Sequence, residues 1–237
     1  KVLVLSEDKD IFGGELDNTI LKDQLNLMRV GEPMYVFYGY VEDGYDENGH
    51  IVYKNMDDDP AITAADKTII GDPNPDFLVN LTTAVSYKGF TLSAFFQSSI
   101  GNDIYSLSMA AQAYDYGYNG NTLREAYYNH WTPENPTAKY PNLDQTSYKM
   151  SDRFVYDGSF VRLKNLELAY DVPCARSKFI KRARVYVSAQ NLFTITSYPF
   201  WDPDINANGG GSSMIQGVDS YCYPSARTYT IGCRLTF

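Results

Sequence analysis

Arg227-Thr228-Tyr229-Thr230-Ile231-Gly232-Cys233-Arg234-Leu235-Thr236-Phe237 is the stretch that decides how the chain is read. Tyr229, Ile231, Cys233, Leu235 and Phe237 are apolar, and Thr228, Thr230, Gly232, Arg234 and Thr236 alternate with them. Successive side chains of a strand point to opposite faces, so the stretch predicts a strand with one apolar face and one face of hydroxyls and guanidinium. A half-buried strand of a soluble sandwich gives this pattern. So does a transmembrane barrel strand of about 9–11 residues whose polar face looks into a lumen. The stop on an aromatic residue leans the expectation toward the barrel.

Other segments repeat the alternation. Residues 77–87 and 90–99 read as two strands joined by Lys88 and Gly89, a hairpin-length connection. Strand pattern returns over residues 159–172, where Val161 and Leu163 lie in one phase and Leu166, Leu168 and Tyr170 in the other, which predicts a bulge or a strand that leaves the bilayer. Residues 183–193 alternate again. Before residue 77 the reading is thin: residues 2–5 and 34–41 are strand-like, and residues 42–75 look like a long acidic loop. Short helices are expected within residues 104–116 and 122–131, where alanines favour them and proline is absent until Pro133.

The connections run long, short, long, short, long, at residues 42–75, 88–89, 100–157, 173–182 and 194–226. Outer-membrane barrels alternate in this way because short turns lie on the periplasmic side and long loops outside, whereas a soluble sandwich has no reason to. Structureless loops above about 12–15 residues are also uncommon in compact domains unless functional. This topology puts Cys174 in a periplasmic turn, Cys222 in an outer loop and Cys233 on the lipid face. A hydrocarbon core of about 30 Å would then separate Cys174 from Cys222, so no internal disulfide is expected.

Composition narrows the function. The formal charge is −9, with no basic stripe, which argues against nucleic acid as a partner. No run of 18 apolar residues occurs, which excludes a transmembrane helix and says nothing against a barrel. The 21 tyrosines and 12 phenylalanines suit strands, interfacial girdles and sugar-stacking surfaces alike. There is no P-loop, G-x-S-x-G or G-x-G-x-x-G. His50 and His130 are the only imidazoles, and Asp202 and Asp204 read as ordinary loop carboxylates, so no enzyme is expected.

Two groups are candidate sites. Asn55, Asp57, Asp59, Ala61 and Asp66 stand at positions 1, 3, 5, 7 and 12 of an EF-hand-like loop, a spacing that suits calcium, although Pro60 occupies the place where such loops need glycine. The plainer alternative is a solvated acidic loop, and no cofactor is required. Tyr114, Tyr116, Tyr118, Tyr127, Tyr128 and Trp131 fall in the longest loop, and Tyr198, Phe200 and Trp201 in the next. Of these, Tyr114, Tyr116, Tyr118, Trp131 and Trp201 are taken as substrate platforms. Aromatic rings stack on sugars, but they also fill loop cores. Arg162, Arg184 and Arg234 are expected at lumenal positions, as solvated lining or as contacts to an anionic substrate.

Seven motifs carry a family resemblance. They are Gly71-Asp72-Pro73-Asn74-Pro75-Asp76-Phe77, Tyr87-Lys88-Gly89-Phe90, Gly101-Asn102-Asp103-Ile104-Tyr105, Trp131-Thr132-Pro133-Glu134-Asn135-Pro136, Asp157-Gly158-Ser159-Phe160-Val161-Arg162-Leu163-Lys164-Asn165, Gln190-Asn191-Leu192-Phe193, and the run from Arg227 to Phe237. In this order they resemble the C-terminal barrel region of the SusC/RagA-type TonB-dependent outer-membrane transporters. The resemblance implies an all-β fold: strands of a large antiparallel transmembrane barrel, 22-stranded in the family, with long extracellular loops holding some short helices. It implies import of oligosaccharides, or in some branches peptides, energised by TonB. The implied partners are a SusD-like surface lipoprotein, TonB reached through a plug domain, and outer-membrane lipid, with a dimer of transporter–lipoprotein pairs as one arrangement. Residues 1–237 are expected to be a C-terminal segment of the barrel domain that supplies roughly six to eight strands, too few to close so wide a lumen. A passive porin or adhesion barrel is the alternative.

Overall fold

The computed structural model describes residues 10–12, 24–113, 121–145, 147–174, 179–205 and 215–237. The chain divides into two units: Lys1–Asn74, Asn102–Asp157 and Ile205–Cys222 form the first, and Pro75–Gly101, Gly158–Asp204 and Tyr223–Phe237 the second. The expected strands at residues 2–5 and the aromatics Tyr114, Tyr116 and Tyr118 lie outside the described residues.

The second unit is a single sheet of five long strands: β1 (Phe77–Tyr87), β2 (Phe90–Ile100), β3 (Phe160–Val172), β4 (Arg182–Thr196) and β5 (Thr228–Thr236). Neighbours in sequence are neighbours in the sheet, and every pairing is antiparallel. The β1–β2 turn has φ of 47° at Lys88 and 87° at Gly89. Positive φ at both central residues is what a tight hairpin turn needs to match the strand twist, and Gly89 adopts it without a Cβ penalty.

Register aligns chemistry across the sheet. Val85, Leu92, Leu168, Val187 and Ile231 are consecutive cross-strand partners, and so are Tyr87, Phe90, Tyr170, Val185 and Cys233. One residue along, Ala84, Ser93, Glu167, Ser188 and Thr230 make a row on the opposite face. The apolar row is solvent-facing in the isolated chain, with Val85 66% and Ile231 86% exposed. Soluble monomers rarely expose an apolar patch beyond a few hundred Å², so a face built this way is made for lipid. Among the described residues no helix is long and apolar enough to cross a membrane.

The expected phase slip in β3 is a bulge. Register shifts between Leu163 and Asn165 against both β2 and β4. Leu163 stays opposite Phe96, and Leu166 stays opposite Ala94, so the apolar set keeps one face through the slip. On β4 the compensating irregularity falls at Asn191, with φ of 51°, a conformation asparagine tolerates. β4 also runs three residues beyond the expected end at residue 193, since Ile195 continues the phase of Phe193.

On the polar face the Tyr186 ring lies over Gly232, its direct partner: a Cβ there would sit 2.4 Å from Tyr186 Cζ. Gly232→Val is therefore expected to push the ring aside and cost about 1–3 kcal/mol of overpacking, read as a lowered urea midpoint of the whole protein in detergent.

The first unit corrects the reading of residues 42–75 as loop. That stretch holds a hairpin (Glu42–Tyr45 with Ile51–Tyr53), a 3₁₀ turn (Ala64–Asp66) and a strand (Thr68–Gly71). The strand expected near residue 36 is Val36–Gly39, in a four-stranded sheet with Ile11–Phe12, Asn26–Met28 and Thr68–Gly71. A three-stranded sheet joins Val155–Asp157, Asp103–Ser106 and Val218–Asp219. The two expected helices are present as α1 (Leu107–Ala113) and α2 (Arg124–Tyr128). Leu25, Leu27, Phe37, Ile104, Tyr105, Phe154 and Val218 are buried together in this unit, so the long connections build a hydrophobic core of their own.

Candidate functional site

The polar face of the five-stranded sheet carries two concavities. The first, of about 440 Å³, is lined by Glu167 and Asp171 of β3, Arg182, Arg184 and Tyr186 of β4, and Arg234 and Thr236 of β5. Arg184 is the direct partner of both Asp171 and Arg234. Its guanidinium lies 3.4 Å from Asp171 and 3.8 Å from Glu167. Like charges directly opposite destabilise a ladder, and the two carboxylates offset that repulsion. With side chains about one-third exposed, each pair contributes at most about 1 kcal/mol. Arg184 and Arg234 are thus lining residues, as expected.

Arg162 departs from that expectation. It is only 1% exposed, and all three nitrogens of its guanidinium donate hydrogen bonds. Nε donates to Thr194 Oγ1 (2.9 Å), Nη1 to Asp204 Oδ2 (3.2 Å) and Ser225 Oγ (3.2 Å), and Nη2 to Asp202 Oδ1. Asp202 also accepts from the backbone N–H of Ser225 (2.8 Å) and Asp204 (2.9 Å). Burial works against the charged form of Asp202, but these two N–H groups and the guanidinium outweigh it and hold the carboxyl below its ordinary value. The result is a latch that ties both ends of the connection between β4 and β5 to the rim of β3. It leaves Asp202 and Asp204 as counter-ions.

Beside the latch is the second concavity, about 350 Å³, lined in part by Asn191, Thr194, Thr196, Trp201 and Arg227. Trp201 stacks on Phe200, with centroids 4.8 Å apart and planes at 17°. It is 58% exposed, as a ligand platform requires. Asn191 and Arg227 were missed in the sequence: Asn191 showed only as part of a motif, and Arg227 only as the head of a strand.

Trp131 serves the first unit. Its indole packs over Gly49 so closely that a Cβ there would lie 2.3 Å from the ring, and Gly49 has φ of 80°. Its backbone N–H donates to Tyr140 O (2.8 Å), and the residue is half-buried. Tyr128 is exposed on α2, edge-on to Tyr127 with centroids 5.2 Å apart. His50 Nε2 lies 2.9 Å from Asp144 Oδ1, and His130 Nδ1 lies 2.6 Å from Tyr127 O; both rings tie loop segments together.

The acidic loop folds through its own backbone. Asn55 Oδ1 accepts from Asp57 N–H (3.0 Å), Asp57 Oδ1 from Asp59 N–H (2.8 Å), and Asp59 Oδ1 from Ala61 N–H (3.0 Å). Asp66 is buried and accepts from Met56 N–H and Thr63 N–H, both at 2.7 Å, in a capping box with Thr63. These bonds hold its carboxyl below the ordinary value. Among the described residues no group of three or more His, Cys, Asp or Glu is arranged to hold a metal ion. Asn55, Asp57 and Asp59 are drawn into successive turns, where their side-chain oxygens accept from backbone N–H groups. Asp66→Ala should cost about 1–2 kcal/mol locally and speed proteolysis within residues 55–66. Cys174 and Cys222 are half-buried and Cys233 is exposed, each as a free thiol.

No family model matches the chain. It is 31% identical over 258 residues to TonB-dependent receptor P3 of Formosa agariphila, spanning all of this chain and 25% of that protein. It is 30% identical over 219 residues to TonB-dependent receptor SusC of Bacteroides thetaiotaomicron, spanning 88% of this chain and 20% of SusC. The fold is similar to the RagAB peptide importer in its closed-closed state, with a TM-score of 0.76 and 26% identity over 96% of this chain and 25% of that one. The open-open state gives a TM-score of 0.71 at the same identity. A two-faced antiparallel sheet with long connections on one side defines the class: the wall of a large β-barrel. The chain belongs to the SusC/RagA type of TonB-dependent receptors, and it spans about a quarter of the length of the first of these relatives. These relatives are receptors and importers, in keeping with the expectation that the chain is no enzyme.

Proposed function

We propose that this chain is a C-terminal wall segment of an outer-membrane importer in a Gram-negative bacterium, taking up oligosaccharides with a SusD-like surface lipoprotein and energised by TonB. The observation that carries the reading is the register of the sheet. Each of its five strands contributes to continuous apolar rows on one face and to polar rows on the other, as a lumen-bearing wall in lipid requires. The first unit has a hydrophobic core of its own, which supports an ordered recognition surface. A peptide substrate is the second reading, favoured by the likeness to RagAB.

Uptake by cells making the whole protein separates the readings. Labelled oligosaccharide should accumulate, and accumulation should stop when the proton-motive force is collapsed or TonB is removed. Uptake that persists under those conditions would make the barrel a passive porin. Uptake of labelled peptides without oligosaccharides would move the substrate to the second reading. Co-purification of a surface lipoprotein, and the mass of the solubilised complex, test the partner and the dimer of pairs.

A further inference from the structure

Three features meet in the cleft beside Trp201. Phe200 stacks on one face of the Trp201 ring, leaving a flat aromatic surface largely open. Asn191 donates its amide N–H to Ala226 O (2.9 Å), while its Oδ1 is buried without a hydrogen-bond partner among the described residues. Leaving a buried acceptor unpaired is unfavourable, so this atom calls for a donor. Arg227 is exposed and pairs with no carboxylate among the described residues. Arg162 is buried and already paired with Asp202 and Asp204, which makes Arg227 the cleft's available cation.

An aromatic face, an acceptor awaiting a hydroxyl and an open guanidinium make a definite chemical demand. We propose that the cleft is a subsite for an acidic sugar residue, one bearing a carboxylate or a sulfate. The sugar's C–H face lies on Trp201, a ring hydroxyl donates to Asn191 Oδ1, and the acid group takes two N–H bonds from Arg227. A glutamate side chain of a peptide would satisfy Arg227, but it offers neither a flat face for Trp201 nor a hydroxyl for Asn191. This assignment rests on the oligosaccharide reading above and names its chemical class.

Saturation-transfer NMR on the detergent-solubilised whole protein tests it, with D-glucuronate, D-glucose 6-sulfate, D-glucose and N-acetyl-L-glutamate as probes. Saturable binding of at least one acidic sugar is expected, and the two acidic probes report which acid group is preferred. Trp201→Ala should abolish that signal, and Arg227→Gln should weaken it about tenfold while leaving D-glucose unchanged. Arg227→Glu, which reverses the charge at that position, should repel the acidic sugars. Heat-modifiable gel mobility verifies assembly of each variant. The proposal is overturned by absent binding of both acidic sugars, by binding indifferent to Trp201 and Arg227, or by N-acetyl-L-glutamate binding equally well. Because binding is read without transport, an unresponsive cleft in a protein that still imports oligosaccharide overturns the subsite alone.

Discussion

Replacing Cys233 by arginine is expected to destabilise the whole protein in lipid vesicles, by up to about 2–4 kcal/mol at the depth of the bilayer midplane and by less toward an interface. Cys233 is exposed in β5, opposite Val185, in the row that runs through Tyr170 and Phe90 to Tyr87. In water an exposed cysteine replaced by arginine should change stability by less than about 0.5 kcal/mol, so the size of the effect reports the solvent on that face. Thr230→Lys is the control. Thr230 belongs to the opposite row, with Ser188 and Glu167, where a lysine meets water and a carboxylate. Urea titration of both variants in the same vesicles should separate them. Equal costs would mean that the apolar rows do not face lipid.

That asymmetry was legible because long strands repeat it. Over the nine residues of β5 a period of two completes several cycles, and the β1–β2 hairpin adds a turn whose two residues leave no room for another connection. Even the bulge in β3 could be read, since the phase of Leu163 and the phase of Leu166 cannot share a face without one. In the first unit the two short helices and the strand near residue 36 were legible, but the rest of its sheets was not, for the converse reason. Its strands are two to four residues long, too short to show a period, and their partners are remote: Val218 pairs with Tyr105, and Thr68 with Gly39. Residues 42–75 therefore looked like acidic loop, although Asp66 sits at the base of a capping box that orders them. The aromatics divided on packing. Trp131 was claimed by Gly49 and Trp201 was left open, a difference that residue type alone does not encode.

Arg162 shows the same limit at a single side chain, and its removal is the second large effect expected. Alternation placed it on the polar face, but its partners come from both ends of the connection between β4 and β5, so no local spacing announces them. Arg162→Met should cost about 3–5 kcal/mol, because it leaves the Asp202 carboxylate buried without its cation. The loss should appear first as proteolytic nicking within residues 197–227, since Asp202 and Ser225 are what the latch holds. Asp202→Asn should cost less, since the amide keeps an acceptor for the backbone N–H of Ser225 or Asp204. The sign with pH follows from the lowered value of Asp202. Its contribution is fully present above the unfolded carboxyl value of about 3.9 and is lost as pH falls through the lower folded value, so the latch should hold at neutral and mildly acidic pH and open only in strong acid. Asp202→Asn should remove that acid-dependent component. The double variant Arg162→Met with Asp202→Leu should recover much of the loss, because an apolar pair can replace a buried ion pair at little cost. Additive losses in the double variant would show that the two side chains are uncoupled, and the latch would not be what holds this end of the wall.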